Sequence, residues 1–426
     1  MNSSDSPIQR EVRQKEEVLG GSIPIVMKNH FTPGVFAALI GLSGASLVCG
    51  AEPGNGLAPE VPGLNLADNL YQLEAQLPDL REPYISAAPV DNGDGMRVGR
   101  LGEDGGDRAV IEEYARAIAE ASGDERVNNV DSMLIGYRGR LVFESYYRRG
   151  RANFPHYQMS ITKAYTALAI GRAVELGFLK MEDLDKPVVG FLKEVDVAKL
   201  VKGAETITLA QALQMSSGIR LGEGMLRELL RKPEALRGQA EIAAYLQHSE
   251  AIPEAGRKFK YQEPDTAIAM QVLNAVVPGG AQEFIRKELL GRMGITQYRW
   301  EAAMSGLPKS AAGSSLLSRD MVKVGMMVLY KGRWLDEQLI PEAYIARATS
   351  PNVHVYGSAH YGFYWWVEDF DVGGRSYRSI EGRGAGGQFI FIFPALELVV
   401  VVTSHDKGMG DMLKTLPQRV IPAFTR

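Results

Sequence analysis

The chain is predicted to adopt an α+β fold, an antiparallel sheet flanked by helices, with an all-helical subdomain inserted between its first and last strands. Strand-like alternation occurs near Ser132–Tyr147 and again over Tyr377–Ser404. Helical periods divided by Pro and Gly fill most of the chain between them. Strands from both ends of a chain meet most simply in one sheet, and the inserted helices then form the second wall of a cleft.

The elements follow in order. Val35 to Val48 is a short apolar stretch broken by Gly41, Ser43, Gly44 and Ser46, with Lys28 upstream and the small residues Gly50 and Ala51 after Cys49. It is too short to span a membrane and fits a signal sequence cleaved after Ala51. Residues 1–51 are therefore expected to be a signal region, with a possible true start at Met27, and the protein to be periplasmic or secreted. An uncleaved anchor or a disordered tail is the alternative. Residues 52–105 are rich in Gly, Pro, Asp and Asn, as in Asp91-Asn92-Gly93-Asp94-Gly95, and are expected to be a surface extension or linker. The catalytic domain is expected over 106–426, with a helical subdomain at about 180–345.

Within that domain, Val110, Ile111, Tyr114, Ala115, Ile118 and Ala119 have the period of an amphipathic helix over Arg108 to Ala121. Ser132 to Gly136 and Leu141 to Tyr147 read as strands joined by a tight turn at Arg138-Gly139. An apolar helix begins at Ser160 and ends at Gly177. Leu209 to Met215, Ile242 to His248, Ala267 to Val277 and Met321 to Tyr330 are predicted helices of the inserted region. Tyr377 to Glu381, Gln388 to Phe393 and Leu396 to Ser404 are predicted strands, with a turn at Pro394-Ala395 and a final helix near Met409 to Val420.

Composition excludes several function classes. The formal charge of -4 and the pI near 6.0 argue against nucleic acid as a partner, because phosphate binding needs a positive surface. The single cysteine rules out an intrachain disulfide, and no Cys-x-x-Cys pair or His-Glu-x-x-His helix offers metal ligands. No metal and no cofactor are expected. The expected partner is a small molecule.

The chemistry starts from Ser160-Ile161-Thr162-Lys163. Residues three apart share a helix face, so the Lys163 ammonium nitrogen can reach the Ser160 hydroxyl, and the helix start offers backbone N–H groups to a developing oxyanion. Ser404-His405-Asp406-Lys407 has the same spacing but leaves a strand into Gly408 and Gly410, so it lacks the helix that would hold such a pair. Ser216-Ser217-Gly218 is read as a helix end, since no Gly-x-Ser-x-Gly elbow occurs. None of the six histidines has a partner identifiable from sequence, which leaves a Ser/His/Asp mechanism without support.

Two stretches, His156 to Tyr165 and Ile207-Thr208-Leu209-Ala210-Gln211-Ala212-Leu213-Gln214-Met215-Ser216-Ser217-Gly218-Ile219, resemble the class C β-lactamase-related serine hydrolases, over about Val130 to Ser404. That family includes esterases, D-amino-acid peptidases and aminohexanoate-dimer hydrolases. The resemblance implies a β-lactamase-like fold, Ser160 as nucleophile, Lys163 as base, and Tyr261, within Phe259-Lys260-Tyr261-Gln262-Glu263-Pro264-Asp265, as the tyrosine that relays the proton. It also implies that Gly382-Arg383-Gly384-Ala385-Gly386-Gly387-Gln388 is the edge carrying the second oxyanion donor, the Ala385 N–H next to Gly384. Arg383 stands in for the lysine usual at this edge. Trp366, in Tyr361-Gly362-Phe363-Tyr364-Trp365-Trp366, is a candidate wall of the substrate cleft, with filling of the core as the alternative for these aromatics. Glu263 replaces the family's Asn, and no lysine occupies the Gly382 edge. The expected function is hydrolysis of an ester or amide through an acyl-enzyme. A penicillin-binding peptidase or β-lactamase, and a catalytically silent binding protein, are the rivals.

Overall fold

The computed structural model describes residues 57–67, 70–121, 129–406, 408–409 and 411–425. The expected signal region and Lys407 of the second Ser-x-x-Lys match lie outside them. Among the described residues no helix is long and apolar enough to cross a membrane.

The strands of the two larger sheets are β1 (Tyr84–Ser86), β2 (Val130–Tyr137), β3 (Arg140–Tyr146), β4 (His156–Tyr157), β5 (Arg299–Trp300), β6 (Ser314–Leu316), β7 (Val353–Tyr356), β8 (Ala359–Tyr361), β9 (Trp366–Val372), β10 (Arg375–Gly384), β11 (Gln388–Phe393) and β12 (Leu398–Ser404). Nine of them form one antiparallel sheet in the order β1-β3-β2-β12-β11-β10-β9-β8-β7. The β2–β12 pair, with Met133 opposite Val402, joins the two ends of the domain as expected. Arg138 and Gly139 both have positive φ, the conformation of a tight hairpin turn between β2 and β3.

Both sheet faces are covered, which explains the nearly continuous apolar runs. Along β11, Ile390 and Ile392 enter the core shared with the central helices, whereas Phe389, Phe391 and Phe393 enter a second core. The second core is closed by α1 (Arg108–Ala121) and the final helix (Met412–Val420). On the other face lie α2 (Ile161–Glu175), α3 (Leu209–Leu213), α4 (Ala240–His248), α5 (Glu263–Val276) and α6 (Ser318–Leu329). Helix α1 has the expected bounds, and α2 ends before Gly177, whose φ is +77°.

Two differences from the sequence reading have physical reasons. The sheet continues through β9, β8 and β7, which were not expected as strands. Acidic Glu368 and Asp369 interrupt the apolar pattern of β9, but Asp369 pairs with Arg378 across the β9–β10 ladder and Glu368 with Arg383. The inserted region is helical apart from short strands, among them β5 and β6, which join β4 in a small sheet. That sheet holds the approach to Ser160.

Candidate active site

Ser160 caps the N-terminus of α2, a helix whose residues Ile161 to Ala173 are all buried. The chain reaches it through β4, paired His156 to Leu316 and Tyr157 to Ser315 on β6, and then through Gln158, whose N–H donates to Ser314 O at 2.9 Å. Met159 has φ +48°, a left-handed conformation that a non-glycine residue adopts at a cost. The first helical turn closes tightly, with Ile161 N–H on Gln158 O at 3.2 Å and Thr162 N–H on Met159 O at 3.2 Å. Thr162 Oγ1 lies 2.8 Å from Ser314 Oγ, pinning that turn to β6.

One turn on, Lys163 is only 3% exposed. Its Nζ donates to Ser160 Oγ at 2.9 Å and to the Ala311 carbonyl at 2.9 Å. Among the described residues it has no carboxylate partner. The Tyr261 ring covers the same nitrogen, 4.6 Å from the ring centroid. Tyr261 thus meets Lys163 through its aromatic face, and its hydroxyl has no hydrogen-bond partner among the described residues.

Tyr261 is held by aromatic rings, and a buried carboxyl braces the chain four residues on. Phe259, Tyr361 and Trp366 lie with ring centroids 6.5, 6.2 and 6.1 Å from it. Asp265, fully buried four residues on, accepts from Ser217 N–H at 3.1 Å and Ser217 Oγ at 3.0 Å, and from the Gln262 amide. Burial pushes the Asp265 carboxyl up to about 7, against the lowering effect of these donors. Ser217 therefore ties the loop after α3 to the start of α5. It is a support rather than only a helix end.

The glycine-rich edge closes the site from the sheet. A Cβ on Gly384 would lie 2.5 Å from Gln158 O, so only glycine lets β10 approach the turn before Ser160 so closely. Ala385 follows, half-buried. Neither its N–H nor that of Ser160 donates to a group among the described residues, so both remain available to an oxyanion.

Arg383 and Trp366 do not take the roles expected of them. The guanidinium of Arg383, on a residue only 3% exposed, bonds Glu381, Glu368 and Tyr356 Oη and stacks 4.7 Å from the Trp366 ring centroid. A cation neutralised by two buried carboxylates does not replace an edge lysine. Trp366 is 1% exposed and is wedged between Arg383, Tyr361 and Tyr261. It fills the core behind Tyr261 instead of lining a cleft.

Four contributors escaped the sequence reading. Ala311 acts through its carbonyl, which no side-chain pattern marks. Ser217 and Asp265 meet across 48 positions, and an acid in the first turn of a helix carries no signal of such a contact. Glu74 lies in the stretch read as a linker, yet together with Asp131 and His156 it brings one potential metal-ligand atom each within 4.8 Å of one another. Each is engaged by protein groups: His156 Nδ1 by Glu74, and Asp131 by His405 Nδ1 at 3.0 Å and Arg149 N–H at 3.2 Å. No histidine among the described residues bonds Ser160. Ser404 of the second Ser-x-x-Lys match is buried, donating to Asn129 O at 2.9 Å.

The β-lactamase family profile matches residues 115–421. The chain belongs to the β-lactamase family. No curated protein matches it. Among solved structures, the β-lactamase-family fold recurs in a Bacillus anthracis protein described as a 6-aminohexanoate-dimer hydrolase, at 19% identity and TM-score 0.58, covering 71% of this chain and 80% of that one. A class C β-lactamase gives 13% identity and TM-score 0.57, covering 75% and 96%. EstCE1, a hydrolase with promiscuous acyltransferase activity, gives 13% and 0.52, covering 75% and 99%. At these identities the likeness is one of fold, and in a hydrolase family with this fold the Ser160–Lys163 pair occupies a buried helix start beside the sheet edge.

Proposed function

We propose that this β-lactamase-family protein is a serine hydrolase that cleaves an ester or linear amide of a small molecule through an acyl-enzyme on Ser160. The observation that carries the reading is the 2.9 Å contact between Lys163 Nζ and Ser160 Oγ, in a site where the lysine has no counter-ion among the described residues. Lys163 Nζ takes the hydroxyl proton as Ser160 Oγ bonds to the substrate carbonyl carbon. The carbonyl oxygen, now an oxyanion, meets the N–H groups of Ser160 and Ala385. The proton passes by way of the Tyr261 hydroxyl to the leaving alcohol or amine as its bond to carbon breaks. Water then adds to the acyl-enzyme, and the acid and the Ser160 hydroxyl are released.

Glu263 and the engaged guanidinium of Arg383 favour esters and linear amides over β-lactams, since neither offers a cation or a neutral amide to a lactam's acidic side. A panel of short p-nitrophenyl esters, linear amides and a chromogenic cephalosporin, assayed with the wild type and Ser160→Ala, tests this. Hydrolysis of esters or amides that the variant loses is expected. Equal rates for both proteins on every substrate would leave a silent binding protein as the reading, and preferential cephalosporin turnover would favour the lactamase.

A further inference from the structure

Residues 57–67 and 70–80 lie before the stretch matched by the family profile, yet they pack tightly against the chain leading to Ser160. Val61, Leu70 and Leu77 form a small core with Phe154. Backbone and side-chain bonds run along the contact: Ala152 N–H to Pro59 O at 2.7 Å, Val61 N–H to Asn153 Oδ1 at 2.8 Å, Arg151 to Pro78 O at 2.8 Å and Leu80 N–H to Arg148 O at 2.8 Å. This strap therefore follows the segment from Arg148 to Tyr157.

The strap's contact nearest to Ser160 along the chain is polar. Glu74, 8% exposed, sends one carboxylate oxygen to His156 Nδ1 and accepts the Tyr157 N–H on the other at 3.2 Å. The Tyr71 and Tyr157 rings lie 5.0 Å apart. Burial works against a charged His156, but Glu74, with Asp131 and the Gln388 side chain, outweighs it and raises the histidine's pKa. Gln388 in turn donates to Ala385 O at 3.5 Å and also bonds Ser404 O. Glu74 thus touches the chain three residues before Ser160 and, through His156 and Gln388, the carbonyl of Ala385, the residue whose N–H is the proposed second oxyanion donor.

We propose that Glu74 and His156 are positioning residues, and that the strap sets the placement of Ser160 relative to the Ala385 edge. This rests on the serine-hydrolase reading. A small misplacement of reacting groups costs on the order of a hundredfold in rate, so a clamp on both sides of the site affects turnover more than substrate affinity.

The test compares the wild type with Glu74→Ala, Glu74→Gln, Glu74→Asp and His156→Gln. The readouts are the rate of Ser160 modification by a fluorophosphonate, kcat and KM on the best ester, and the thermal midpoint. Glu74→Ala is expected to lower the modification rate and kcat by roughly tenfold or more with KM little changed. Glu74→Gln, which keeps the Tyr157 contact, and Glu74→Asp are expected to recover part of the loss. Glu74→Gln also decides the question if Glu74→Ala does not fold. Unmodified Ser160 in the wild type overturns the hydrolase reading itself. A labelled wild type with unchanged labelling and kcat in folded Glu74 variants overturns the strap alone, even if their thermal midpoints fall.

Discussion

Lys163 directs two donors at Ser160 Oγ and Ala311 O and presents its nitrogen to the Tyr261 ring, so its amine, the tyrosine face and the hydroxyl form one unit. Removing the amine with Lys163→Ala is expected to lower kcat/KM by about 10²–10⁴-fold on the best ester, the usual range for an acid–base group. Tyr261→Phe keeps the ring over Lys163 and deletes only the hydroxyl. A loss of the same order in kcat is expected if the phenol delivers the proton, whereas wild-type kcat would reduce Tyr261 to a packing residue. Asp265 makes a third prediction at this scale. Its folded pKa of about 7 lies above the ordinary carboxyl value, so between about pH 4 and pH 7 the folded chain holds a proton that the unfolded chain has released. The resulting stabilisation is complete below about pH 4 and is lost as the pH rises through about 7. Asp265→Asn removes this term. Urea unfolding at pH 5 and pH 7.5 is expected to show a smaller decline with pH in the variant than in the wild type.

Strand β10 does two jobs on alternate residues. Gly384 lets the edge touch the backbone at Gln158, and Arg383 anchors the strand to β9 through Glu368 while also bonding Glu381 of its own strand. Gly384→Ala forces a methyl against a carbonyl oxygen, and a loss of about 1–3 kcal/mol of stability is expected together with reduced activity. Arg383→Met leaves two carboxylates buried without their cation. It is expected to cost about 3–5 kcal/mol, read by chemical denaturation. Legibility divides along the same lines. Helix α1, the Arg138-Gly139 turn and strand β11 carry their own local patterns, and the Ser160–Lys163 pair is one helical turn. By contrast, the role of Arg383 depends on which face of β10 meets Glu368, and the Ser217–Asp265 and Glu74–His156 contacts join segments far apart in the chain. No local spacing encodes them.

At the scale of the whole molecule, one sheet separates two apolar cores, and its strands contribute alternate residues to both. All four tryptophans, Trp300, Trp334, Trp365 and Trp366, belong to or pack against the core that contains the site. Tryptophan fluorescence therefore reports on that side, and far-UV circular dichroism on the whole fold. Coincident urea transitions by the two probes are expected, because neither core survives loss of the shared sheet. Separate transitions would show that the two faces unfold independently. The strap over residues 57–67 and 70–80 matters at this scale too, since it joins a segment with linker-like composition to the wall of the site.

The central claim is that Ser160 is a nucleophile activated by Lys163. Intact-protein and peptide mass spectrometry after treatment with a fluorophosphonate tests it most directly. A single adduct on the peptide bearing Ser160, abolished in Ser160→Ala and strongly slowed in Lys163→Ala, is the expected result. No adduct, or an adduct on another serine that persists in Ser160→Ala, would contradict it.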